Sequence, residues 1–137
     1  MTDKQYANGM FFYLPSEKAQ SFIKMNINVN REQTIEWLAG MEDDIFWVQV
    51  NEKKNNPGSG YGEVDTYRKE DVDNHVDGLK FVDTDGSKPD FVKLHVSINR
   101  DQFAEWLDSQ DDEWVRFQVK NDDDLTWEIN TYKKTDS

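Results

Sequence analysis

Few residues in this chain have both the type and the spacing that chemistry needs. The histidines are His75 and His95; they stand at unrelated places, and neither has a nucleophile and an orienting carboxylate in its sequence context. His95 reads as a surface histidine. Asp83-Thr84-Asp85-Gly86 opens like a calcium loop, but Lys88 and Leu94 occupy the positions where such a loop needs glycine and a bidentate glutamate, so a turn is expected. Gly58-Ser59-Gly60-Tyr61-Gly62 has the composition of a phosphate cradle, yet it lies between two strand patterns and not ahead of a helix N-terminus. Asp122, Asp123 and Asp124 read as a solvated hairpin tip. The absence of cysteine excludes thiolate chemistry and a cysteine zinc site. The expectation is a protein without catalytic residues, metal or cofactor, and not an enzyme.

The elements that carry these residues are written twice. Phe22 to Leu38, FIKMNINVNREQTIEWL, returns as Phe91 to Leu107, FVKLHVSINRDQFAEWL, with Asn99 over Asn30. In each copy a strand alternates strictly: Ile23, Met25, Ile27 and Val29 on one face, then Val92, Leu94, Val96 and Ile98. Asn30 and Asn99 stand three residues before Gln33 and Gln102, the spacing of a capping box, and open short amphipathic helices that lay Trp37 and Trp106 on the core. Upstream, ANGMFFYLPS matches VDGLKFVDTD, with Gly9 over Gly78 and Phe12 over Phe81. Downstream, a third strand runs into a hairpin that closes on GEVDTYRK or WEINTYKK, and the second hairpin is four residues shorter. The pattern predicts an α+β fold: a tandem duplicate of a β-β-α-β-β unit, residues 1–70 and 71–137, each an antiparallel sheet with one helix on one face. The charged stretch Glu70 to Asn74 would be the joint.

A lone helix covers one side of a four-stranded sheet, so the other side must meet water, the sister unit or a partner. In the first unit that side should carry Phe11, Tyr13, Phe22, Lys24, Ile45, Trp47 and Tyr67. In the second it should carry Lys80, Phe91, Lys93, His95, Trp114, Arg116, Lys120 and Tyr132. Three uses compete. The two open faces could pack together or form a homodimer. Single-stranded DNA could stack on Phe22, Trp47, Phe91 and Tyr132, with Lys24, Lys93 and Arg116 taking phosphates. A protein partner could dock on an aromatic centre with an acidic rim.

Charge favours the last over the second and leaves the homodimer open. The chain has 28 acidic and 16 basic residues, net −12, which repels phosphate backbones and membrane surfaces at long range. The excess is uneven: 8 basic against 11 acidic residues in 1–70, but 8 against 17 in 71–137. The expected partner is a nucleic-acid-binding protein, held by Phe11, Phe22, Trp47 and Tyr67 as the aromatic anchor. Asp111, Asp112, Glu113, Asp122, Asp123 and Asp124 would form the acidic field. No apolar run reaches a membrane span and no signal-peptide core is present, so a cytoplasmic protein without membrane contact is expected.

At PDFVKLHVSI (Pro89 to Ile98), EWL (Glu105 to Leu107) and WEINTYK (Trp127 to Lys133) the chain resembles a group of small uncharacterised phage-encoded proteins. They share the order N-G strand, D-F-V-K strand, helix ending in W-L and hairpin. The first copy departs from that pattern, with Gln20-Ser21 for Pro89-Asp90 and Gly62 for Trp127. The resemblance implies a viral accessory protein acting in the host cytoplasm, of the kind that mimics nucleic acid to block restriction or CRISPR nucleases.

Overall fold

Each long strand runs directly into its helix at an asparagine. In the computed structural model, which describes residues 6–65, 75–84, 90–122 and 125–129, Asn30 keeps an extended backbone while its side chain accepts from the Gln33 N–H at 3.0 Å. Asn99 does the same for Gln102 at 3.1 Å. The return half of the capping box is replaced: the Asn30 and Asn99 amides donate to the carbonyls of Gly9 (2.7 Å) and Gly78 (2.8 Å). Both glycines have φ near +90°, and a Cβ on either would run into the first turn of its helix, at Thr34 for Gly9 and Phe103 for Gly78. Only glycine allows that approach.

The elements are β1 (Met10–Tyr13), β2 (Ile23–Asn30), α1 (Arg31–Ala39), β3 (Ile45–Glu52) and β4 (Ser59–Asp65), followed by β5 (Leu79–Val82), β6 (Val92–Asn99), α2 (Arg100–Asp108), β7 (Trp114–Lys120) and β8 (Trp127–Ile129). They do not make two sheets. All eight strands form one antiparallel sheet in the order β5-β6-β3-β4-β1-β2-β7-β8, curled into a half-barrel with two helices.

This corrects the expected tandem of β-β-α-β-β units, each an antiparallel sheet with one helix on one face. The second strand of one repeat pairs with the third strand of the other, β2 with β7 and β3 with β6. The physical reason lies in size: a unit of about 65 residues encloses too little apolar surface alone. Here both repeats fill a single core. Ile27, Val29, Val48, Val96, Ile98 and Phe117 from the strands join Leu38, Phe103 and Leu107 from the helices in one buried cluster. The helices pack on each other within that arrangement. Their starts are clamped across the repeats: the Arg31 N–H donates to Glu113 C=O at 2.9 Å and the Arg100 N–H to Asp44 C=O at 2.7 Å.

The strand order is the same ring for both repeats, so a pairing of β8 with β5 would match that of β4 with β1 and close a barrel. Among the described residues the β4–β1 seam is paired and the β8–β5 seam is not. The joint expected at residues 70–74 lies outside the described residues.

Candidate docking face

Pairing between the repeats builds one outward surface from residues far apart in sequence. On β1, β2 and β7, Phe11 lies beside Asn28 and Asn28 beside Arg116; one step along, Tyr13, Asn26 and Gln118 form a parallel row. Trp114 opposes Asn30 at the end of β2. The strand parity that sends Ile27 and Val29 inward turns this asparagine series outward. Phe11 and Trp114 meet across it, ring centroids 5.7 Å apart at 43°. They are 38% and 42% exposed, and Tyr13 is 39% exposed. An aromatic cluster that stays this accessible in the folded chain has the composition of an interface centre, because Trp, Tyr and Arg are enriched at hot spots.

An acidic rim adjoins it. Asp111, Asp112 and Glu113 are all exposed and lead directly into Trp114, and the Arg31 N–H bond to Glu113 C=O holds their turn against the start of α1. The matching turn in the first repeat, Met41 to Asp44, has the equivalent backbone clamp and is closed further by the Arg100 guanidinium, which donates to Met41 C=O, Glu42 C=O and the Asp44 carboxylate. The hydrogen bond that Arg100 Nε donates to the Asp101 carboxylate at 3.0 Å raises the Arg100 pKa above its ordinary value, with the charges of Asp101, Asp44 and Asp43 adding to it against the opposing effect of burial.

The structure redistributes the other expected site residues. Trp47 is only 3% exposed. It lies on the outer side of β3 in register with Ser97 of β6, and Asn51, His95 and Ser97 on the same side are buried too. This part of the outer face is a second packed layer and not an open platform, which removes Trp47 from both the aromatic anchor and the stacking surface. His95, expected at the surface, is 2% exposed. Ser97 Oγ sits 3.0 Å from His75 Nε2, but the hydroxyl is sealed from solvent, so the pair ties the segment before β5 to the sheet and offers no nucleophile to a substrate.

Phe22 is 56% exposed but sits at the far end of β2 from Asn28, about 20 Å away at the rise of a strand. Phe91 is 50% exposed, beside Lys53, Lys54, Pro57 and Tyr61. Lys24 is engaged by Asp83 at 2.7 Å and Lys93 by Glu52 at 3.7 Å, whereas Arg116 is exposed and has no ion pair among the described residues. The Asp122 carboxylate accepts from the Thr126 N–H and hydroxyl, at 3.1 and 2.7 Å, and so serves its own turn. Tyr67, Asp123, Asp124 and Tyr132 lie outside the described residues.

Trp114 and Tyr13 are the residues that belong to this face and were absent from the expected anchor. Alternation along β7 and β1 already turned them outward. What the sequence lacked was the β2–β7 pairing that brings Trp114 to Phe11. Among the described residues no cluster of His, Asp or Glu could hold a metal ion, and no helix is long and apolar enough to cross a membrane. No family model, curated protein or solved structure matches the chain.

Proposed function

We propose that this chain is a non-enzymatic docking protein that engages a basic, nucleic-acid-binding protein and competes there with nucleic acid. The observation that supports it is the exposed pair Phe11 and Trp114 beside Arg116, bordered by Asp111, Asp112 and Glu113. An aromatic centre supplies contact area, while an acidic border on a chain of net −12 attracts a positively charged surface and repels competing polyanions. Direct binding of single-stranded DNA fits less well, because Lys24 and Lys93 face carboxylates and Trp47 is buried.

The test uses the immobilised chain and heparin-retained proteins of a host lysate. The expected result is a captured protein that oligonucleotide displaces and that Trp114→Ala releases. Capture unaffected by Trp114→Ala, or saturable quenching of the chain's own tryptophan fluorescence by oligonucleotide, would contradict this role.

A further inference from the structure

We propose that the seam between β5 and β8, unpaired among the described residues, receives an extended segment of another protein, one with small residues at the alternate positions that face the core. Register shows which backbone groups face the seam. The bond from the Asn99 N–H to Gly78 C=O puts Gly78, Lys80 and Val82 in hydrogen-bonded pairs with β6, which turns the amide and carbonyl of Phe81 toward the seam. The bond from the Lys120 N–H to Thr126 C=O does the same on β8, turning Trp127 and Ile129 toward the seam from the other side. Two adjoining clefts, about 450 and 330 Å³, run along it and share Lys80, Phe81 and Leu125; Val76, Thr126 and Trp127 also line the second. The Trp127 indole N–H is buried with no acceptor among the described residues.

The sister seam shows what such a segment must look like. β4 lies against β1 because Gly60 and Gly62 face the core there. A Cβ on Gly62 would stand 2.7 Å from Val48 Cγ1 and 3.0 Å from Ala7 Cβ. In the second repeat those places hold Leu125 and Trp127. Leu125, which follows the shorter hairpin, also has a left-handed backbone, φ +47°, so β8 is held off β5 by bulk and by this turn. A strand entering the gap meets the space already filled by Phe81, Leu125 and Trp127, and only small inward residues fit. A second copy of this chain is a poor occupant, since its free edges carry Leu79, Phe81, Leu125 and Trp127 inward. Main-chain pairing at two facing edges supplies the attraction, and the small-residue requirement supplies the selection.

The experiment is a titration of the full chain, at physiological salt and followed by backbone amide resonances, with the peptide Gly-Ser-Gly-Tyr-Gly-Glu-Val-Asp copied from Gly58 and β4. The expected result is saturable shifts at Phe81 and Trp127, with amide exchange there slowed about tenfold and Phe11 and Trp114 unmoved. A peptide with valine at its second and third glycines should not bind. No saturable shift at millimolar peptide, or equal binding of the valine peptide, would overturn the proposal. As a second arm, Leu125→Gly should let β5 and β8 pair, protecting the Phe81 amide without peptide and abolishing binding; a folded L125G chain that takes the peptide as well as the parent does would also overturn it.

Discussion

Phe11 and Trp114 lie ring to ring at 5.7 Å, although one opens the first repeat and the other stands near the end of the second. They meet because β2 lies between β1 and β7, and neither half of the sequence holds the pair alone. Replacing either ring should therefore remove the same interaction. Trp114→Ala is expected to weaken docking about 30-fold, a hot-spot loss of about 2 kcal/mol. Phe11→Ala should cost nearly as much, and the double variant should cost less than the sum of the two. Titration calorimetry with the captured partner checks this.

The acidic rim should act on encounter more than on residence. Changing Asp111, Asp112 and Glu113 together to Asn, Asn and Gln is expected to lower the association rate about tenfold at low ionic strength, with dissociation little changed and the difference fading as salt is raised. Stopped-flow association at several salt concentrations measures it.

The two helix-entry glycines give a stability test. Gly78 has φ +90°, and an added Cβ would meet the backbone of Phe103. Gly78→Ala should destabilise by roughly 3 kcal/mol, well above an ordinary surface change. Asn99→Ala, which removes the cap but leaves the backbone free to keep its path, should cost about 1 kcal/mol. Urea unfolding separates these values.

A stabilising change is also available. Thr34 is fully buried and its hydroxyl has no hydrogen-bond partner among the described residues, while the second repeat places Phe103 there. Thr34→Val keeps the shape and removes an unsatisfied donor, so a gain of about 1 kcal/mol is expected in the same unfolding measurement.

Much of the local structure was legible because it depends on neighbours in sequence. The alternation of Ile23 to Val29 and Val92 to Ile98 places these residues inside, and Asn30 and Asn99 cap where the spacing put them. Strand partnership was not legible. Alternation says which residues share a face and is silent on which strand lies alongside, so β2 beside β7 could not be read from it. Trp47 fell to the same gap: period two turned it away from the core, correctly, but could not show that this outward side is covered over β3 and β6. The shorter second hairpin was visible, while its consequence at Leu125 depended on knowing that β4 and β8 occupy equivalent seams.

Everything rests on β2 lying against β7 in one sheet. The bond from the Arg31 N–H to Glu113 C=O makes Asn28 and Arg116 a non-hydrogen-bonded cross-strand pair facing outward, the arrangement in which Cα atoms stand about 4.5 Å apart and a disulfide closes without strain. The chain has no native cysteine, so Asn28→Cys with Arg116→Cys reports on this pair alone. Mild oxidation at low protein concentration should give a monomer whose intact mass has lost two hydrogens and whose peptide map joins β2 to β7. Two free thiols, or a bond only between molecules, would mean that the strands are not neighbours and would contradict both the single sheet and the docking face built on it.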